Sequence, residues 1–109
     1  MNRSLAILGM AKKAGLLAVG GEAAAAAARQ GKAELIVTAS DASESSVRRA
    51  KHYAEENDIA HLAVPYSMFE LGKTAGRGSP GTIAFLDKGL ADSFVKKVAD
   101  TNNVKESDA

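Results

Sequence analysis

The chain has 109 residues, 46% hydrophobic and 25% charged, with a formal net charge of +1 and no cysteine. That length supports one core and not two, the composition is that of a soluble globular chain, and the missing thiols exclude disulfides and thiolate chemistry and fit a reducing cytoplasm. The small net charge hides an asymmetry: residues 1–51 carry eight basic and four acidic residues and residues 52–109 carry six and nine, so the first half is mildly basic, well short of a general nucleic-acid coat.

Leu5, Leu8 and Ala11 recur at three-residue spacing, with Lys12 and Lys13 in the last turn and Gly15 beyond, which predicts a helix over Leu5 to Ala14. The same two lysines interrupt the N-terminal apolar stretch before any cleavage site, so no signal peptide is expected, and no apolar run is long enough to span a bilayer. Leu16 to Ala39 then reads as strand, loop, helix, strand: a short apolar run to Val19, Gly20 and Gly21, the alanine run Ala23 to Ala28, Gly31, and a β-branched run from Leu35. Alanine has the best helix propensity and Gly31 stands where a helix reverses into the left-handed region, so about three turns are expected. At its start, Gly20 and Gly21 let backbone approach a partner and the free amides of the first turn favour an anion such as phosphate. Glu22 answers the same helix dipole internally, so both readings stand.

Further along, Asp41 and Glu44 have the spacing of a capping box, opening a helix that turns Val47, Ala50 and Ala54 inward and stops near Asn57. Ile59 to Val64 reads as a strand ended by Pro65. Ser67 and Glu70 form a second capping box, and Met68, Leu71 and Ala75 face inward from the helix behind it. Gly76 to Gly81 is a loop, Thr82 to Leu86 a strand, and Leu90, Phe94 and Val98 mark a last helix. From Asp100 the chain is polar and aperiodic, which predicts one domain over residues 1–99 and a frayed tail over 100–109. Alternating helices and short apolar strands imply an α/β fold with helices on both faces of a central sheet.

Few side chains point to chemistry. Gly76-Arg77-Gly78-Ser79-Pro80-Gly81 matches the dinucleotide fingerprint literally, but a helix precedes it and a strand follows, the reverse of what that fingerprint needs. Its Arg77, with Lys73 one turn upstream, can instead touch RNA phosphate. His52 and Glu56 are one turn apart on a helix; two ligands do not make a metal site, and with His61 on another element they read as a solvated face. The serines around Asp41 read as loop and helix-start residues, with no triad to join. No acid, base and nucleophile cluster, so no enzyme, metal or cofactor is expected.

The residues Leu8-Gly9-Met10-Ala11-Lys12-Lys13-Ala14-Gly15, Gly20 with Glu22, Arg29-Gln30-Gly31-Lys32-Ala33-Glu34-Leu35, Asp41-Ala42-Ser43, Glu70-Leu71-Gly72-Lys73 with Gly76, and Asp87-Lys88-Gly89-Leu90-Ala91 follow one another in an order that resembles a known family. It is the small ribosomal-protein family of kink-turn RNA binders, of the L-seven-Ae and L-thirty-e type, and within it the bacterial YlxQ-like branch. The resemblance spans Leu5 to about Val98. It implies an α-β-α sandwich around a four-stranded mixed sheet and a small, non-catalytic, cytoplasmic, ribosome-associated protein that recognises structured RNA.

In RNA-binding members the helix after the first glycine begins Gly-x-Asn-Glu-x-x-Lys, and its polar side chains read the sheared G·A pairs of a kinked stem. An ungapped match of Gly20 and Gly31 sets Glu22 at the Asn position, Ala23 at the Glu position and Ala26 at the Lys position, so all three differ. Carried over residue by residue, the expected RNA face is Gly20, Gly21, Glu22, Arg29, Ser40, Asp41, Lys73, Arg77 and Gly78, acting through backbone amides and a few cations. Expected partners are structured RNA, mostly ribosomal, and ribosomal proteins, met by a monomer without any membrane. The alternative is a protein-interaction or ribosome-accessory module that keeps the fold and has lost specific kink-turn recognition.

Overall fold

The computed structural model describes residues 3–76 and 78–108, with side chains through Asp100. Helices and strands alternate along them: α1 (Arg3–Lys13), β1 (Leu17–Val19), α2 (Gly21–Arg29), β2 (Leu35–Thr38), α3 (Glu44–Glu56), β3 (Ala60–Ala63), α4 (Met68–Ala75), β4 (Thr82–Phe85) and α5 (Lys88–Asp108). The strands form one mixed sheet in the order β1-β4-β2-β3, antiparallel at its first two pairings and parallel between β2 and β3. Every residue of β2 and of β4 is buried, as expected of inner strands covered on both faces.

Each sheet face has its own core. On one, Leu35, Val37, Ile83 and Phe85 meet Leu8 of α1, Leu71 of α4 and Phe94 of α5, and the Phe85 and Phe94 rings lie 4.9 Å apart, centroid to centroid. On the other, Ile36 and Ala84 meet α2 and α3. The alanine run has its explanation in this layer. Ala24, Ala25, Ala27 and Ala28 are buried against small partners (Ala84, Ala50 and Ala54), so a helix with only methyl groups packs densely where larger side chains would hold it away. Tyr53 joins this core from α3; burial raises its phenol above the usual 10.0, opposed by the Arg49 charge. This is the three-layer α-β-α sandwich, with a four-stranded mixed sheet, that the sequence resemblance implies.

Two expectations need correction. Asp41 and Glu44 do not form a capping box: Ser43 is the N-cap of α3, its Oγ accepting the Ser46 N–H, and Asp41 is used elsewhere. Val47 is only partly buried, and Tyr53 takes the inward position beside Ala50 and Ala54. The last helix, α5, runs to Asp108. No Gly or Pro lies between residues 90 and 108, and a nucleated helix propagates through polar residues that do not break it. The apolar stripe stops near Val98; the helix does not.

Candidate nucleic-acid interface

The C-terminal ends of β1, β2 and β3 and the N-terminal end of β4 fall on one edge of the sheet, because β4 runs antiparallel to its neighbours. Four connections therefore converge there, and backbone hydrogen bonds join them. The Gly20 N–H donates to the Thr82 carbonyl at 2.8 Å, the Ala39 N–H to Gly81 at 3.0 Å, and the Ser40 N–H to Tyr66 at 2.8 Å. Asp41 Oδ1 accepts the Met68 N–H at 2.7 Å, fastening the connection after β2 to the start of α4. A Cβ on Gly81 would sit 3.4 Å from the Ala42 Cβ and 3.6 Å from the Met68 sulfur, so these connections are also in van der Waals contact.

Of the three helices that begin at this edge, α4 and α2 do so in different electrostatic states. At α4 the capping box forms in full: Ser67 Oγ accepts the Glu70 N–H at 3.1 Å, the Glu70 carboxylate accepts the Ser67 N–H at 3.0 Å, and Asp41 takes the Met68 amide. Its Met68 and Glu70 amides are occupied. At α2 the N-cap is Gly20, with φ 104° and no side chain to accept, so the amides of the first turn remain open to an acceptor from outside. Glu22, in that turn, is exposed. Ala23 is exposed and Ala26 partly so, on the outer side of α2.

Among the expected interface residues, Gly20, Gly21, Glu22, Ser40 and Asp41 come together at this edge. Arg29 does not: it ends α2, about 12 Å along the helix axis from Gly21. Lys73 projects from the second half of α4, into a groove shared with α1. Gly78 folds back on α4, its carbonyl oxygen against Gly72. Arg77 lies outside the described residues. Sequence reasoning missed Gly81, Thr82 and Tyr66, whose carbonyls hold the edge together through contacts that leave no local signal. It also missed Arg48 and Lys51, which with Ala42, Glu44 and Val47 line a shallow pocket on the α3 side of Asp41. Their helical spacing from Glu44 was the available signal.

These surfaces offer open amides, cations and loop backbone, the groups that contact phosphate and the edges of a folded RNA. Among the described residues, no group of His, Asp or Glu is arranged to hold a metal ion, and no helix is long and apolar enough to cross a membrane.

Residues 3–97 match the model of the Ribosomal protein L7Ae/L30e/S12e/Gadd45 family. Among solved structures, a protein of unknown function from Bacillus halodurans C superposes with a TM-score of 0.83 at 22% identity, over 91% of this chain and 99% of that one. The Giardia lamblia 15.5kD RNA binding protein superposes with a TM-score of 0.68 at 18% identity, over 91% of this chain and 84% of that one. At these identities the likeness is one of fold. No curated protein matches the chain in sequence.

Proposed function

The chain belongs to the ribosomal protein L7Ae/L30e/S12e/Gadd45 family, and from that premise we propose that it is a small ribosome-associated protein that binds structured RNA as a monomer, in the cytoplasm, through the sheet edge at Gly20. The observation that carries this reading is the uncapped start of α2, where Gly20 leaves the first-turn amides open beside the Ser40–Asp41 connection. RNA-binding by the Giardia relative, on the same fold, supports it. The family is non-catalytic, and no reaction is proposed.

In this reading Gly20 and Gly21 bring backbone to a phosphate, Ser40 donates its hydroxyl, and Asp41 shapes the edge by holding α4. Lys73, Arg77 and Gly78 meet an RNA strand that leaves the edge along α4, and Arg29 supplies long-range attraction only. Kink-turn stems are the proposed class of RNA, bound with backbone contacts where relatives use Asn, Glu and Lys. A second reading is favoured by Glu22, Ala23 and Ala26: with a carboxylate and two methyl groups on that side of α2, specific kink-turn recognition has been lost and the module serves ribosomal protein partners.

Titration of the protein against a labelled kink-turn RNA and a matched unkinked duplex, at low and high salt, separates the two. Kink-selective binding that is weakened by Lys73→Ala and Arg77→Ala supports the proposal. Equal weak binding to both RNAs, collapsing with salt, supports the second reading.

A further inference from the structure

Away from that edge, α1 and α4 lie side by side. Gly9 faces the Thr74 methyl and Lys12, one turn on, reaches Gly76, so the helices run in the same direction and leave an open groove between them. Leu5, Ala6 and Gly9 line it from α1; Phe69, Lys73 and Thr74 line it from α4.

The fold makes no use of its most apolar wall. Phe69, which lines it, is 69% exposed. Phe69 lies outside the inward stripe of α4 and outside its capping box, since Leu71 and Ala75 fill the core and Ser67 with Glu70 cap the helix. Packing between the helices does not demand glycine at position 9 either. A Cβ there would meet only the Thr74 methyl, at an ordinary 3.7 Å, yet glycine lowers helix stability relative to alanine. What the glycine provides is an open floor next to an exposed aromatic ring, the form of a helix-in-groove docking site.

Charge narrows the occupant. Glu70 is the one carboxylate lining the groove, and it is turned back onto the Ser67 amide. Lys73 lines the groove, and Lys12, in the last turn of α1, brings its side chain to Gly76 at the end of α4. The ion pairs among the described residues, His52–Glu56 and Lys88–Asp92, use none of these lysines. A nucleic-acid strand needs cations along its whole path and several stacking rings, whereas here hydrocarbon makes the wall, one ring stands on it and the cations gather toward one end.

We propose that the α1–α4 groove is the docking site of an acidic amphipathic helix from a partner protein. Its apolar side chains cover Phe69 and the floor at Gly9, and its carboxylates meet Lys73 and Lys12. The groove starts at Phe69, one residue from the Met68 amide held by Asp41, so a docked helix reaches the sheet edge where RNA is proposed to bind.

The test uses the full chain labelled with nitrogen-15 and a synthetic helix carrying leucine at every third and fourth position and glutamate elsewhere. Saturable shifts at the amides of Leu5, Ala6, Gly9, Phe69 and Thr74 are expected. Phe69→Ala, Lys73→Glu and replacement of the peptide's glutamates by glutamine should each weaken binding about tenfold. Gly9→Leu should abolish it by filling the floor; if that variant does not fold, Phe69→Ala and Lys73→Glu, both at exposed side chains, decide. No saturable shift, equal affinity for the glutamine peptide, or undiminished binding to Phe69→Ala overturns the proposal. So does perturbation of the Leu5, Ala6 and Gly9 amides by oligouridylate, which would carry RNA past α4 onto the α1 wall and make the groove an RNA surface, or perturbation of the groove amides by raising the protein concentration alone, which would make it a self-association face.

Discussion

Asp41 and Met68 are 27 positions apart in the chain, and the carboxylate of one accepts the first helical amide of the other at 2.7 Å. A negative charge at a helix N-terminus satisfies an orphan donor and faces the positive end of the dipole, so Asp41 acts here as a structural clamp between two connections. Asp41→Ala is expected to cost about 1 kcal/mol, the usual scale for losing a helix cap, read as a lowered urea midpoint with an unchanged slope. Asp41→Asn, which keeps an acceptor, should cost less. Equal stability of Asp41→Ala and the parent would show that the clamp contributes nothing.

The return loop before β4 depends on one missing side chain. A Cβ on Gly72 would fall 1.8 Å from the Gly78 carbonyl oxygen and 2.8 Å from its carbon, and backbone has no rotamer with which to escape. Gly72→Ala must push the loop off α4, and a loss of about 2 kcal/mol or more is expected. Gly9→Ala is the control, because its added methyl meets only Thr74 at an ordinary distance. The two thermal midpoints should move apart; a Gly72→Ala midpoint at the parental value would contradict this packing.

How much of this was legible beforehand follows from where the information sits. The Ser67–Glu70 box, the left-handed turn at Gly31 and the inward stripe of α4 depend on residues within one or two turns, and the sequence reading and the structure agree on them. Asp41 shows the limit. Its spacing from Glu44 is that of a capping box, and only the tertiary arrangement offers it the Met68 amide while Ser43 takes α3. For the candidate site, local glycines marked Gly20 and Gly21, but the bonds that bring Gly20 to Thr82 and Ala39 to Gly81 cross between strands far apart in sequence. Arg29 looked like a neighbour of Gly20 because sequence distance ignores that a helix carries its two ends apart.

His61 gives the fold a pH response. Its imidazole is partly buried on β3, Nε2 lies 2.8 Å from the Thr38 hydroxyl, and burial, aided by the Lys51 charge, lowers its pKa below the ordinary 6.5. The unfolded chain therefore binds a proton at His61 before the folded one does. Its contribution to stability is complete above pH 6.5 and is lost as the pH falls from there through the depressed folded value. Urea midpoints measured from about pH 8 to about pH 5 should fall more steeply for the parent than for His61→Gln. Parallel curves would remove His61 as the cause.

The outer side of α2 allows the RNA proposal to be strengthened by design. Ala26 is half-buried and occupies the position where RNA-binding relatives carry lysine, on a helix whose buried side is made by Ala24, Ala25, Ala27 and Ala28. A lysine at 26 can direct its flexible stem to solvent and leave that packing intact, at little cost in helix propensity. If RNA lies across the uncapped start of α2, Ala26→Lys adds a charge-assisted hydrogen bond of about 1.5 to 3 kcal/mol, roughly ten- to hundredfold in affinity. Selectivity is the sharper readout. Affinity for a kink-turn RNA should rise more than affinity for an unkinked duplex, because a base-edge contact distinguishes them and a phosphate contact does not. Gln30→Lys, exposed at the far end of α2, controls for charge alone and should raise both equally. If Ala26→Lys also raises both equally, the RNA does not cross α2 in the manner of the family, and the search for a specific partner belongs on the α1–α4 groove.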